Sequence, residues 1–271
     1  GELAVPAWYL LHVAALAGAC ALVPAPVWVR LATFGVVALS FGAMRDLVLG
    51  NVSVLLLLPL VMAWRWLDRP GGAIAQAIAM AVRPPLGVLM IWQLLRRRWR
   101  AVAWTIGTGL VLIALSLPFV GIGGYFDYLT VLGNLSGLTG EENNLDLSSW
   151  ALAMGADEWV AQLALYVSYG LGIAAIGLSL LRDREVGFVV TATASLLLMP
   201  LLWDHYLAML MLPAALLAAR GRPWGLALPL LSWLPAAALP FVVMAGAWLP
   251  FLARPPEPSE RKGFPSGAEG V

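Results

Sequence analysis

Residues 73–100 read AIAQAIAMAVRPPLGVLMIWQLLRRRWR. The run is largely apolar up to Leu95, is interrupted in its middle by Arg83-Pro84-Pro85, and ends in the basic group Arg96-Arg97-Arg98-Trp99-Arg100. Proline disfavours helical backbone in the residue before it. Two prolines after an arginine therefore predict two short helices meeting at a break, where one membrane span would otherwise be read. The side of the membrane assigned to every upstream turn depends on that choice.

The rest of the chain is of the same kind. Of its 271 residues, 61% are hydrophobic and 11% charged, against about 25% charged in a soluble domain, so most of the surface has no water to face. Roughly 20 apolar residues span a bilayer core as a helix. Apolar runs follow one another at 4–23, 27–41, 47–64, the broken pair within 73–95, then 101–120, 159–181, 186–203, 206–219 and 224–252. The last contains Pro229, Pro235 and Pro240 and reads as one kinked helix. No stretch alternates as barrel strands do. The expected fold is an all-α, polytopic transmembrane helical bundle of about nine to ten membrane segments, counted at one per run of this length.

The net charge of +1 and the scatter of basic residues through short loops leave no stripe for nucleic acid. The single cysteine, Cys20, permits no disulfide within the chain. The 13 tryptophans fall mostly near span ends, as an aromatic belt would. Residues 1–253 are expected to form the membrane domain, with an outer loop at 121–157, and residues 254–271, rich in Pro, Gly and charge, a disordered tail.

Lys and Arg set orientation. Between Arg100 and Arg182 there is neither, whereas Asp127, Glu141, Glu142, Asp146, Asp157 and Glu158 lie in that interval. The 121–157 loop is thus expected on the non-cytoplasmic side and Arg96–Arg100, Arg182/Arg184 and Arg220/Arg222 inside. With the broken helix pair, the turn around Arg65 to Arg69 also falls inside, and only Arg45, next to Asp46, lies on the wrong side. Gly1-Glu2 then begins outside with no preceding span. An upstream segment or a separate chain completing the fold is expected on that ground.

Arg83 is the first candidate for chemistry. A charge in a membrane segment costs about 2.5–3.5 kcal/mol on insertion scales and persists where it faces a watery cavity or an anion, although it can also snorkel or pair internally. Trp203-Asp204-His205-Tyr206 sets an acid, an imidazole and a phenol at one end of a helical hairpin. Asp at such a place is also an ordinary N-cap, and Trp and Tyr ordinary interface anchors. Arg45-Asp46 precedes Leu49-Gly50-Asn51-Val52-Ser53, where Gly50 permits close approach of a backbone or ligand and Asn51 and Ser53 could bond a sugar. Asn143, Asn144, Asp146, Ser148 and Ser149 in the loop match polyol hydroxyls or are simply solvated. No nucleotide-binding Gly-rich loop and no metal-ligand spacing is present.

Taken in order, several segments resemble glycosyltransferase family 87. Leu49-Gly50-Asn51-Val52-Ser53 is similar to its Gly-Gln-x-Asn element, with Asn51 where Gln is usual. Val82-Arg83-Pro84-Pro85 and the basic turn after it look like its Lys-Pro turn, with Arg83 in place of lysine. Asn143-Asn144-Leu145-Asp146-Leu147-Ser148 resembles its Asn-Gln-Ser loop, and Met199-Pro200-Leu201-Leu202-Trp203-Asp204-His205-Tyr206 its Ser-Pro-x-x-Trp-x-His-His stretch. The resemblance covers roughly residues 47–213. It implies a GT-C-type bundle in the plasma (inner) membrane, multi-pass, with its active face non-cytoplasmic. It also implies a polyprenyl-phosphate-linked sugar donor, often mannose, and a glycolipid or glycan acceptor. Members carry a key aspartate in a first outer loop that this chain lacks, so the chain reads as the C-terminal part of something longer, inactive alone if so.

Inverting transfer needs a carboxylate to take the acceptor proton and positive charge for the departing lipid phosphate. On this reading Arg83, helped by Arg45, binds phosphate, and Asp204 and His205 are catalytic. The main base lies in the missing segment, with Asp204 as the fallback. Asp46, Asn51, Asn143, Asn144 and Tyr206 hold sugar or acceptor. No cofactor and no metal is required. Membrane lipids are the other partner. The alternative is a polyprenyl-lipid flippase or transporter, since transporters bind substrate at broken helices, although no internal repeat is visible. A non-catalytic scaffold would leave Arg83 and Asp204-His205 without a role.

Overall fold

The computed structural model describes residues 3–135, 144–199 and 201–254. Asn143, the acidic pair before it and the expected tail beyond Arg254 lie outside that set. The described residues are all-α: α1 (Ala4–Leu22), α2 (Val27–Ala38), α3 (Phe41–Val48), α4 (Ser53–Arg65), α5 (Pro70–Val82), α6 (Val88–Leu95), α7 (Trp99–Leu135), α8 (Leu147–Ala153), α9 (Glu158–Ser179), α10 (Arg184–Ala194), α11 (Met211–Ala219) and α12 (Leu239–Trp248). Between them lie 3₁₀ segments, the longest being Asp204–Leu210 and Pro223–Trp233.

Local chemistry starts and stops these helices. Ser40, Asp146 and Asp183 each accept a backbone N–H at the start of α3, α8 and α10, which satisfies donors a helix start leaves free. Pro70 opens α5 where a missing N–H costs nothing. The backbone at Arg83 leaves helical angles (φ −132°, ψ 89°), and a 3₁₀ turn over Pro84–Gly87 leads into α6. The expected break is therefore present. Across it, buried Gln76 and Gln93 exchange amide hydrogen bonds of 2.8 and 3.4 Å, tying α5 to α6.

The core is built around α10 and α11. Every residue from Val186 to Ala194 and from Met211 to Ala218 is buried, as expected for largely apolar helices enclosed by others, with the hydroxyls of Thr191 and Thr193 bonded to the carbonyls of Gly187 and Val189. α4, α9 and α12 pack around them, α1 lies against α4, and α5 carries α7 on its outer side. Past Thr105, α7 is exposed along most of its length, an apolar surface suited to lipid.

The number of spans differs from the sequence expectation of nine to ten. Among the described residues three helices are long and apolar enough to cross a membrane: Ala4–Leu22, Trp99–Val131 and Glu158–Ser179. A fourth counts if α2 and α3, bent by 58°, are taken together. The remaining apolar runs fold as pieces. α4 has 13 residues, about 20 Å at 1.5 Å per residue, short of a core of roughly 30 Å. The 224–252 run is not one helix. Leu234, ahead of Pro235, is extended (ψ 156°), and 3₁₀ turns flank a 10-residue α12. Apolar composition shows that a segment is buried in protein or lipid; its length as a helix is set by where prolines and 3₁₀ turns fall. Conversely, after a kink at Gly121, whose backbone is non-helical (φ 68°, ψ 167°), a second helical stretch follows in residues expected to be loop.

Candidate functional site

The site is assembled from the turn between α3 and α4 outward. Asp46 is completely buried. Its carboxylate accepts the amide N–H groups of Ser53 (2.9 Å) and Val54 (2.8 Å), so a side chain of one helix caps the next. His12 Nε2, from α1, lies 3.4 Å from the same carboxylate and 3.0 Å from the Asn51 carbonyl. Gly50 has φ +70° with open space where a Cβ would sit. The glycine serves the left-handed turn, and no protein atom beyond its chain neighbours lies within 4 Å of that position.

Ser53, fixed through its amide by Asp46, presents its hydroxyl to Arg83, whose Nη2 donates to Ser53 Oγ at 2.6 Å. Arg83 Nη1 donates to Met209 Sδ (3.4 Å), and the guanidinium carbon stands 3.8 Å from the centre of the Tyr206 ring, a cation–π distance. Arg83 is 7% exposed. Among the described residues no carboxylate lies within ion-pair distance of it. Arg83, Asn51, Ser53, Tyr128, Trp203, His205 and Tyr206 line one cavity of about 630 Å³.

Asp204 and His205 open the 3₁₀ segment that packs on α3. Gly42 permits that contact, since a Cβ there would lie 3.0 Å from the Asp204 carbonyl, from Ala208 N and from Leu207 Cβ. His205 Nδ1 is 3.5 Å from Asp204 Oδ1 and 3.5 Å from Asn51 Nδ2. Arg45 Nε donates to Asp204 Oδ2 at 3.0 Å. Burial pushes the Asp204 carboxyl up, but hydrogen bonds from His205 and Arg45 and the Arg45 charge outweigh it and hold the group below the usual carboxylate value. Asp204 thus stays ionised at neutral pH.

The structure sorts the sequence-predicted residues into separate places. Arg83, Asn51, His205 and Tyr206 share the large cavity. Arg45 and Asp204 line a smaller hollow of about 270 Å³ on the other side of the Asp204–His205 pair. Asp46 is sealed beneath Ser53 and reaches neither. Asn144 accepts from the amide of Leu202 (2.9 Å), while Leu145 N–H donates to the Leu202 carbonyl (2.7 Å). Together these bonds brace the strand-like stretch before Asp204 from outside the large cavity. Asn143 lies outside the described residues. Sequence reasoning missed His12, Tyr128 and Met209. A histidine in an apolar run was the one visible signal among these, while Tyr128 reaches the cavity from the helical stretch after the Gly121 kink, in residues expected to be loop.

No curated protein and no solved structure matches the chain. The model of glycosyltransferase family 87 does, over residues 2–203. This range corrects the reading of the chain as a C-terminal part of the family's sequence whose likeness starts at residue 47. The matched range takes in α1 and α2, whose largely apolar sequences offer few polar residues to compare. Asp204, His205 and Tyr206 fall just beyond the matched range. A match spanning most of the sequence, together with membrane-crossing helices and a cavity around a buried arginine, establishes that the chain belongs to glycosyltransferase family 87.

Proposed function

We propose that this protein is a membrane-embedded hexosyltransferase. It moves a sugar, mannose by family likeness, from a polyprenyl-phosphate donor to a glycolipid or glycan acceptor on the non-cytoplasmic face of the inner membrane. The observation that carries the reading is the Arg83 guanidinium: buried, bonded among the described residues only to neutral partners, and facing a cavity. A desolvated cation without a carboxylate is costly, and a phosphate arriving in the cavity supplies the missing charge with charge-assisted hydrogen bonds.

In the transfer step an acceptor hydroxyl attacks the anomeric carbon and the carbon–oxygen bond to the phosphate breaks. The bonding pair leaves on the polyprenyl phosphate. Arg83 stabilises that developing charge, with Ser53 and Tyr206 holding the guanidinium in place. The ionised Asp204 accepts the acceptor's proton. Arg45 and His205 orient its two oxygens, and His205 and Asn51 contact the donor sugar from the cavity wall. Orientation is supported by the arginines gathered away from this site: Arg96 donates to the Arg182 carbonyl, Arg98 pairs with Asp68, and Arg220 with Asp183.

The test is transfer of labelled mannose from polyprenyl-phosphate-mannose in membranes containing the protein. Arg83→Gln is expected to lower the rate at least about hundredfold, the cost of removing one charge-stabilising donor, with the protein still inserted. Full activity in Arg83→Gln would remove the assignment of Arg83, and with it the reading.

A further inference from the structure

We infer that the Asp204 side of the Asp204–His205 pair is a trough for an uncharged, hydroxyl-rich acceptor longer than one sugar unit, running from Trp233 and Arg45 to Ser149. The inference rests on the transferase reading and assigns the acceptor's place and class.

Two hollows make the trough. The first, about 270 Å³, holds Arg45, Asp204 and Trp233. The second, about 430 Å³, holds Asn144, Asp146 and Ser149. Leu145 and Ala236 line both, so the hollows adjoin. Together they fall in the roughly 300–1,000 Å³ range of small-molecule sites. Asp204 closes one end, and its neighbour His205 faces the donor cavity. A hydroxyl at that end lies beside the pair that borders the donor cavity.

The lining selects a neutral polyol. Arg45 is already matched by Asp204, and Asp146 adds a second carboxylate, so an anionic ligand would meet net negative charge. Trp233 is 55% exposed, yet its Nε1 donates to the Leu39 carbonyl at 2.8 Å and its ring stands 5.1 Å from Phe41, edge-on. It is a fixed aromatic surface of the kind on which the C–H face of a sugar packs. At the far end the buried Ser149 Oγ has no hydrogen-bond partner among the described residues, while its amide is used by Asp146 at 2.7 Å. A buried hydroxyl left unpaired costs free energy. Rotation of the Ser149 side chain toward the second hollow would let a ligand hydroxyl pair it.

The experiment measures calorimetric binding of two probes to the protein in nanodiscs: octyl mannobioside for the trough and farnesyl phosphate for the Arg83 cavity. Trp233→Ala is expected to weaken mannobioside binding at least about tenfold, and Trp233→Phe to restore most of it. Ser149→Ala is expected to weaken it about threefold or more without lowering the melting temperature, because it removes an unpaired group. Farnesyl phosphate affinity stays unchanged in all three. If Trp233→Ala does not fold, Ser149→Ala decides. Mannobioside affinity unchanged by these substitutions, or no mannobioside binding by the unmodified protein, overturns the trough. Failure of farnesyl phosphate to bind, with mannobioside behaving as expected, sinks the transferase donor site and leaves the trough standing.

Discussion

Two charged regions of this molecule use arginine in opposite ways. Where α10 begins, Arg220 donates to both oxygens of Asp183 (2.7 and 2.9 Å) and to Glu185 (2.8 Å), and Asp183 also caps the helix. Each charge there has a charge of the other sign. Between α4 and the Asp204 segment, the buried carboxylate of Asp46 is satisfied by amide N–H groups and His12, and the buried Arg83 receives a hydroxyl, a sulfur and an aromatic face. Acid and base stand on either side of Ser53 without touching. Saturated ion pairs build scaffold, whereas a buried cation surrounded by neutral groups carries a desolvation cost that no opposite charge offsets.

The comparison breaks most decisively through Arg83→Gln. Transfer should fall at least about hundredfold while the melting temperature stays close to that of the unmodified protein, since no carboxylate is left unpaired. A large drop in melting temperature with transfer intact would make Arg83 scaffold like Arg220. Asp46→Ala should do the reverse. Removing charge-assisted bonds to Ser53 and Val54 is expected to destabilise by about 2–3 kcal/mol, read as a lower denaturation midpoint, with the KM for donor changed little in the protein that remains folded.

Arg220→Gln sharpens the other half. Its side chain is 7% exposed but its partners are 36% and 22% exposed, so solvent offsets part of the loss. About 1–2 kcal/mol of destabilisation with unchanged kcat is expected in thermal melts and transfer assays. Smallest is a pH effect. Burial raises the Asp183 carboxyl, but bonds and charge from Arg220 and the amides of Val186 and Glu185 bring it below the ordinary 3.8. Its stabilisation is therefore present above the unfolded value and is lost as pH falls through the lowered folded value. Asp183→Asn should be less stable than the unmodified protein at pH 7, and the gap should begin to close below about pH 4 and vanish below the lowered folded value. A gap independent of pH would assign the effect to the helix cap alone.

The site was partly legible because charge and proline stand out in apolar sequence. Arg83 ahead of two prolines and the Asp204-His205 pair were visible, and the fold does bring Arg83 and His205 to one cavity. Arg45 was visible too, but its allegiance was not. Grouped with Arg83 in the sequence, it pairs with Asp204 on the far side of the acid–imidazole pair. Asp46, read in the sequence as a residue for sugar or acceptor, is wholly enclosed, because its partners are backbone amides that every sequence has. Trp233, in the middle of the run read as one kinked helix, carried no signal, and only the 3₁₀ path of 223–233 sets it over Phe41.

Composition and proline placement alone determined that this protein is helical, membrane-associated and broken at Arg83, because apolar surface must avoid water and proline cannot continue a helix. Tertiary structure decided how many helices are long enough to cross, which side of Asp204–His205 each arginine faces, and that Asp46 is a cap. Those outcomes depend on helix lengths and on backbone groups contributed from distant parts of the chain, which residue types do not encode one position at a time.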